Sequence, residues 1–200
     1  MLNFHSQDIY GFDVAITAMR NPLNSWNKSD TFGELKIGEN DHELALKLIK
    51  AGSDHAKFLR MIQVWVDIEA PLYWWKEFDT YKVGTTANSC STMHTLHKRD
   101  LTLEDFSLDG ASEDAQTVLK HTLTMLNCYR REFVETGSKD AWRALIQLLP
   151  SGFMQIRTVN LNYAVLRNIY HARKGHKLSE WETFREWCEN LPYSEFITEV

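Results

Sequence analysis

The sequence is poor in the residues that mark several specialised classes of protein. Its three cysteines, Cys90, Cys128 and Cys188, are odd in number and show no C-x-x-C spacing, which argues against a disulfide framework and against a thiolate zinc site. Lysine and arginine together number 22, against 27 aspartates and glutamates, so the chain lacks the basic excess of a general nucleic-acid-binding surface. We expect a reduced, cytoplasmic protein that binds no nucleic acid, with scope for one local cationic pocket that holds a nucleotide.

Long apolar runs and catalytic signatures are also missing. No segment approaches the roughly 18 apolar residues that a membrane helix needs, and the first residues lack the basic segment and apolar core of a secretion signal. We therefore expect no association with a membrane.

The histidines show no H-E-x-x-H or comparable spacing, so no metal site is predicted. No Ser/His/Asp or Cys/His arrangement stands out, and the catalytic residues stay unassigned.

The chain does contain ample material for a hydrophobic core. Hydrophobic residues make up 44% of its 200 positions, and these include seven Trp, seven Tyr and ten Phe. This length suits one well-buried domain and is short for two. We therefore expect residues 1–200 to form a single domain.

The segment from Pro71 to His94 organises the middle of the sequence. Just before it, four apolar residues alternate with Gln, Trp, Asp and Glu, which predicts a strand with one buried face: Ile62, Val64, Val66 and Ile68. Proline cannot donate a hydrogen bond to a neighbouring strand, so Pro71 should end this strand, and a helix should follow from Leu72. The polar run TTANSCST beyond that helix is dense in hydroxyl and amide groups and suits ligand binding.

The other segments follow familiar patterns of alternation, capping and glycine stops. They predict a strand from Phe12 to Met19, a loop from Arg20 to Phe32, a helix from Asn40 to near Gly52, a helix from Ser112 to about Val134 stopped by Gly137, a short helix capped by Ser138, a helix from Phe153 to Ala172, and a last helix capped by Ser179 and Glu182. This order of elements gives an α+β fold with few strands and much helix.

Three segments taken together resemble the flavin-dependent thymidylate synthase (ThyX) family: LKLIKAGSDHAKFLRMIQVWVDIEAPLYWWKEF, YKVGTTANSCSTMH and LLPSGFMQIRTVNLNYAVLRNIYHARKGHKLSEWE. They match that family's order of helix and Gly, strand, Pro, aromatic-rich helix, R-H-R followed by S-x-N-x-x-S-x-R, and late T-V-N. The resemblance implies a mixed sheet flanked by long helices and the reductive methylation of dUMP to dTMP. It also implies FAD as the carrier of hydride and methylene, methylenetetrahydrofolate and NADPH as co-substrates, and a homotetramer.

The resemblance also assigns binding residues. In the segment NSCSTMH, Asn88 takes the position of the family's flavin-contacting Asn, and Ser91 that of its phosphate-contacting Ser. The loop SDHAKFLR corresponds to the family's His-containing flavin loop. The implied cofactor-binding residues are Asn88, Asn160, Arg60 and His55, and the implied substrate-binding residues are Ser91, Thr86, Lys82, Arg167 and Arg173.

The scaffold of the family matches better than its cations do. R-H-R becomes Tyr81, Lys82 and Val83, and the Arg that follows the motif becomes Met93. A guanidinium binds a phosphate through two parallel hydrogen bonds, whereas Lys supplies a point charge and Met supplies none. Three hypotheses follow: a divergent synthase, a catalytically altered nucleotide- or flavin-binding module on the same scaffold, or a flavin-free enzyme that modifies another nucleotide.

The assigned residues also have purely structural interpretations. Aromatic residues at helical spacing, such as those in residues 73–78, are typical of a core as well as of a flavin wall. Asn88 and Ser91 can close a turn or cap a helix, and the basic residues can be solvated surface charges. Asn160 is the most informative residue, because an amide within an apolar helix needs hydrogen-bond partners.

Overall fold

The structure is a computed structural model that describes residues 2–33 and 35–199. Its strands are β1 (Asn3–Tyr10), β2 (Gln63–Pro71), β3 (Thr86–Ser89) and β4 (Met154–Asn162). Its α-helices are α1 (Phe12–Met19), α2 (Glu39–Lys50), α3 (Leu72–Phe78), α4 (Thr92–Thr95), α5 (Glu113–Thr136), α6 (Lys139–Gln147), α7 (Tyr163–Ala172), α8 (Glu180–Glu189) and α9 (Glu195–Thr198). Short 3-10 turns lie at Asn21–Leu23, Trp26–Lys28, Lys57–Arg60, Leu96–Lys98 and Leu103–Asp105.

The predicted α+β class is confirmed. The four strands form one sheet in the order β1-β2-β4-β3, and the sheet is antiparallel, whereas the sequence resemblance implied a mixed sheet. Residues of β2 and β4 pair with a constant register: the Tyr163 N–H donates to the Ile62 carbonyl, and the Leu72 N–H donates to the Phe153 carbonyl. One of these bonds lies at each end of the two strands, so β2 and β4 pair in antiparallel fashion along their whole length.

The strand before Pro71 and the helix after it are both confirmed. Side chains alternate between the two faces of a strand, and Ile62, Val64, Val66 and Ile68 are all buried while Trp65 is exposed. Pro71 ends β2, and α3 begins at the next residue. Three aromatic side chains of α3 are buried, which supports the structural interpretation of this run: Trp74, Trp75 and Phe78.

The predicted strand from Phe12 to Met19 is wrong, because this segment is helix α1. Its buried residues are Phe12, Ala15, Ile16 and Met19, which follow the i, i+3, i+4, i+7 spacing of one helical face. The chain's first strand precedes it, at Asn3–Tyr10. Eight residues are too few for alternation alone to distinguish the two periods.

The predicted helix from Phe153 to Ala172 is wrong in its first half. Residues Met154–Asn162 form strand β4, and the helix α7 begins only at Tyr163. The side chain of Asn162 caps α7 by accepting a hydrogen bond from the Val165 N–H at 3.1 Å. Asn160 therefore lies on a strand and not within an apolar helix.

Most of the predicted helix ends are confirmed. The Ser112 and Ser138 hydroxyls accept hydrogen bonds from Ala115 N–H and Ala141 N–H, at 3.2 Å each, which satisfies free N–H groups of the first turn. Gly137 ends α5 with a φ of 70°. Ser179 precedes α8 but makes no side-chain cap, and α8 is followed by α9, so it is not the last helix.

The described residues divide into two compact units, each made of separate chain segments. Unit 1 comprises residues 2–3, 68–79 and 88–157, and unit 2 comprises residues 4–33, 35–67, 80–87 and 158–199. Unit 1 contains a core cluster of Leu96, Leu101, Phe106, Leu123, Leu126 and Leu145. The largest buried side chains of unit 2 include Phe12, Tyr163, Trp181, Phe184 and Phe196.

None of the helices in the described part of the chain is both long enough and apolar enough to cross a membrane.

All three cysteines are free; Cys90 and Cys128 are exposed, whereas Cys188 is buried. Burial raises the pKa of the Cys188 thiol, so this side chain behaves as a small core residue.

Candidate functional site

A groove runs along helix α7 in unit 2. It consists of two adjoining cavities of about 580 Å³ and about 430 Å³, which fall within the usual range for small-molecule sites. Arg60, Ala164 and Asn168 line both cavities. We call the pair the α7 groove, with a Gly52 end, lined also by Ser53, Ala56, Leu59, Arg167 and His171, and a Tyr81 end, lined also by Thr80, Val83, Gly84, Asn162 and Val165.

Gly84 allows the loop at the Tyr81 end to approach α7 closely. Its φ is 77°, and a Cβ at this position would lie 3.0 Å from Val165 Cγ2 and 3.3 Å from Asn162 Nδ2. A positive φ strains any side-chain-bearing residue, and the close approach adds a steric cost. The capping bond of Asn162 holds its Oδ1 against α7, while its Nδ2 donates to none of the described residues and stays available to a ligand.

Arg60 is the cation at the junction of the two cavities. It is the last residue of the 3-10 turn Lys57–Arg60, and its side chain is exposed. Its guanidinium forms no hydrogen bond or ion pair with any described residue. An arginine carries five N–H donors and a permanent charge, so Arg60 can bind an anionic group without giving up an existing partner.

Two other arginines, one that lines the groove and one that contacts Tyr81, are already engaged. Arg167 lines the Gly52 end and donates to the Ile197 carbonyl at 3.3 Å and also to the Glu199 carbonyl. Burial lowers the pKa of Arg167. Arg173 Nε donates to the Tyr81 hydroxyl oxygen at 2.8 Å, and its guanidinium lies 4.5 Å from the centre of the Trp181 ring.

His171 brings a neutral ring to the Gly52 end of the groove. Burial and, secondarily, the charge of Arg167 lower the pKa of His171. The folded state therefore favours the uncharged imidazole at neutral pH. The charge of this end is thus supplied by arginine alone.

Two solved structures of the flavin-dependent thymidylate synthase ThyX from Helicobacter pylori, both with FAD and dUMP, superpose on nearly the whole chain. One has a TM-score of 0.75 at 16% identity and covers 99% of this chain and 97% of that chain. The other has a TM-score of 0.71 at 16% identity, with coverages of 99% and 98%. The chain has the ThyX fold. No family model matches the sequence, and no curated protein matches it.

At this identity the likeness to ThyX concerns the fold, so residue roles must be argued from the contacts of this chain. His55 illustrates the difference. It lies in the same loop as Arg60, but it lines a separate cavity of about 490 Å³ together with Leu44, Leu48 and Phe58. His55 and Arg60, two of the four residues that the ThyX resemblance assigns to the cofactor, therefore line different cavities.

Asn160 and Thr86 lie on strands outside the groove lining. The Asn160 amide donates to the Val64 carbonyl at 3.2 Å and to Gln63 Oε1 at 3.4 Å. It is therefore hydrogen-bonded between neighbouring strands of the ThyX fold. Thr86 is exposed at the start of β3, and Lys82 is exposed in the loop before it.

Asn88 and Ser91 belong to unit 1. Asn88 is exposed on β3, and Ser91 precedes α4 without a side-chain cap, although its carbonyl accepts a hydrogen bond from Thr95 Oγ1 at 2.7 Å. Between them, the Cys90 N–H donates to the Ile156 carbonyl. The polar run is therefore fixed to β4 by its backbone, with the Asn88 side chain exposed and Ser91 half-buried.

Three groove residues were missed by reasoning from the sequence: Tyr81, Asn162 and Asn168. In the sequence, Tyr81 stands out only as a departure from R-H-R. The signal that could have found Asn162 is its position as the N-cap of a helix that follows a strand directly. Asn168 gave no local signal.

The described residues that line the groove offer mainly hydrogen-bond donors. Within residues 2–33 and 35–199, His, Cys, Asp and Glu side chains form no group of three or more that could hold a metal ion. None of the described residues that line the groove is acidic. Arginine, amide and hydroxyl groups instead provide donors, which suit phosphate and carbonyl oxygens.

Proposed function

We propose that this protein is a flavin-dependent thymidylate synthase-like enzyme that binds FAD and dUMP. Its reaction would be the reductive methylation of dUMP to dTMP, with methylenetetrahydrofolate and NADPH as co-substrates. The observation that carries the proposal is the α7 groove with its unpaired Arg60, in a chain that has the ThyX fold over nearly its whole length. The Helicobacter pylori ThyX structures with that fold contain FAD and dUMP.

The residues of the groove fit a nucleotide ligand in shape as well as in charge. Gly52, Ala56 and Ala164 present small surfaces, which leave space for a flat ring. Arg60 supplies a free cation for a phosphate, and donors from Asn162 suit ring oxygens. FAD bound there would supply the hydride and carry the methylene group, while the protein binds, orients and excludes water.

The other residues that the resemblance assigns enter the proposal as further contacts to the two ligands. They are Asn88, Asn160 and His55 for the cofactor, and Ser91, Thr86, Lys82, Arg167 and Arg173 for the nucleotide. Arg167 and Arg173 would have to share or release their present partners to make such contacts. We further propose that residues 1–200 act as one domain in a cytoplasmic homotetramer.

The direct test is to identify what copurifies with the protein. A flavin absorbance spectrum, together with FAD in the mass spectrum of the denatured sample, supports the proposal. A colourless protein that shows no thermal shift with FAD or with dUMP would contradict it.

Arg60 provides the corresponding mutational test. Arg60→Gln should weaken binding of FAD or of dUMP roughly 10- to 100-fold, because a charge-assisted hydrogen bond to phosphate is lost. Titration of each ligand by fluorescence or calorimetry measures the change. Arg143→Gln is a matched control, since Arg143 is an exposed arginine on α6 in unit 1. Equal affinities of the Arg60 variant and the wild type would remove Arg60 from the proposal.

A second candidate function is a binding module that no longer catalyses the reaction. The observation that favours it is the replacement of R-H-R by Tyr81, Lys82 and Val83, with Tyr81 hydrogen-bonded to Arg173. Expression in cells that require thymidine distinguishes the two candidates. Growth without thymidine supports the synthase, whereas failure to grow, with soluble protein that still binds nucleotide, supports the module.

A further inference from the structure

The hydroxyl group of Tyr81 has a defined hydrogen-bond polarity. Arg173 Nε lies 2.8 Å from the Tyr81 hydroxyl oxygen. Arginine has donors and no acceptor, so the arginine donates and the tyrosine oxygen accepts. The hydrogen of the Tyr81 hydroxyl is therefore free to be donated to another group.

No described residue accepts this hydrogen. The only hydrogen bond of the Tyr81 hydroxyl to the described part of the chain is the one that it accepts from Arg173. Tyr81 lines the Tyr81 end of the α7 groove and is half-buried there. Its free O–H is thus a donor available to whatever occupies this cavity.

The position of Tyr81 is fixed by its contacts with Arg173 and Trp181. The Arg173 guanidinium lies 5.2 Å from the centre of the Tyr81 ring and 4.5 Å from the centre of the Trp181 ring. Trp181 is fully buried. Because a buried indole supports the arginine and the arginine contacts the phenol, Tyr81 has little freedom to rotate away from the groove.

The neighbouring donors indicate the kind of ligand that this end would hold. Asn162 Nδ2 is available, since its Oδ1 caps α7, and Asn168 lines the same cavity. A phenol and an amide are neutral donors, which match carbonyl oxygens, whereas the cationic Arg60 at the junction matches a phosphate.

We propose that the Tyr81 hydroxyl donates a hydrogen bond to a ring carbonyl of a planar imide heterocycle, with Asn162 Nδ2 as a second donor and Arg173 as the positioning residue. The inference rests on the proposed function, and it names the chemistry of one end of its site. Both the uracil of dUMP and the isoalloxazine of FAD contain the imide group, and the experiment distinguishes these two sources.

Tyr81→Phe removes the hydroxyl and retains the ring contact with Arg173. It should weaken binding of one of the two ligands about tenfold, as expected for loss of a hydrogen bond that leaves a buried carbonyl unsatisfied. FAD and dUMP are titrated separately: a loss for FAD places the isoalloxazine at Tyr81, and a loss for dUMP places the uracil there. Tyr10→Phe is the matched control, because Tyr10 is an exposed tyrosine of unit 2 outside the groove.

The role of Arg173 is tested by a double-mutant cycle. Arg173→Met should weaken the same ligand as Tyr81→Phe does, and should cause no further loss in the Tyr81→Phe background. If Arg173 had only a structural role, Arg173→Met would weaken ligand binding by the same factor in the wild-type and Tyr81→Phe backgrounds. Circular dichroism and thermal melting of each variant establish that it is folded.

The outcomes separate this inference from the function on which it rests. Wild-type protein that binds neither FAD nor dUMP contradicts the proposed function and the inference together. Wild-type protein that binds either ligand, with unchanged affinities in Tyr81→Phe, contradicts the inference alone. Additive losses in the cycle contradict the positioning role of Arg173.

Discussion

The buried carboxylate of Asp41 bonds to Arg20 and to several groups of the loop before α2. Its side chain has 0% exposure, and it pairs with Arg20, which has 5% exposure. Asp41 also accepts hydrogen bonds from the Ser29 hydroxyl, from the Asp30 N–H and from both donors of Thr31. A buried charge is tolerated only when it is paired and hydrogen-bonded. Asp41 therefore holds the loop before α2 to the start of that helix.

We expect Asp41→Ala to destabilise the protein by about 3–5 kcal/mol, because it leaves the buried Arg20 without its partner. Urea unfolding followed by circular dichroism measures the change. Asp8→Ala is the control, since Asp8 is exposed on β1 and its loss should cost less than about 0.5 kcal/mol. A small effect at Asp41 would mean that water reaches the Arg20 side chain.

The same carboxylate predicts a pH dependence. Burial alone would raise the pKa of Asp41, but hydrogen bonds from Ser29, Thr31 and Arg20 lower it overall. A lowered pKa contributes stability that is fully present above the ordinary value near 3.9 and is lost as the pH falls below it. Melting temperatures between pH 3 and pH 7 should therefore decline more steeply below about pH 4 in the wild type than in Asp41→Ala.

At the scale of elements, Gly84 sets how closely the loop at the Tyr81 end of the groove approaches α7. Gly84→Ala should destabilise the protein by about 1–3 kcal/mol and weaken ligand binding, because the new methyl group meets Val165 at a strained φ. Gly175→Ala is a matched control: its φ is 68°, but a Cβ there would have no neighbour within 4 Å. The difference in unfolding free energy between the two variants measures the steric contact, and equal losses would show that φ alone matters.

Elements with local signals could be predicted from the sequence, and elements defined by pairing could not. Ser112 and Gly137 mark the ends of α5 through capping chemistry that acts within a few residues. Strand β4 was missed because Ile156 and Val159 continue the helical spacing of α7, while the strand pairing that overrides it involves β2, about 90 residues earlier. The site follows the same rule: Tyr81 and Arg173 are 92 residues apart, and no local pattern links them.

At the scale of the whole molecule, the two units are interleaved along the chain. Strand β2 contributes residues 63–67 to unit 2 and residues 68–71 to unit 1, and β4 contributes residues 154–157 to unit 1 and residues 158–162 to unit 2. We expect strands that continue from one unit into the other to couple their folding through the backbone. No linker separates these units in the sequence, which explains why its length and composition predicted one domain.

Leu126→Ala tests this coupling. Leu126 is fully buried in the core cluster of unit 1, so truncation should cost about 2–5 kcal/mol. Because β2 and β4 run through both units, we expect the urea midpoints measured by near-ultraviolet and far-ultraviolet circular dichroism to fall together. Val118→Ala on the same helix is the control, since Val118 is exposed. Two separate transitions would show that the units unfold independently.

The mutual contact of Tyr81, Arg173 and Trp181 has a practical consequence for spectroscopy. Trp181 lies with its ring centre 6.2 Å from that of Tyr81, so a chromophore seated at this end would quench its emission by energy transfer. The difference in emission between the wild type and Trp181→Phe gives the contribution of this indole, separate from that of the other six tryptophans of the chain. The molecule thus carries an intrinsic optical reporter beside the Tyr81 end, and occupancy can be followed in real time without any label.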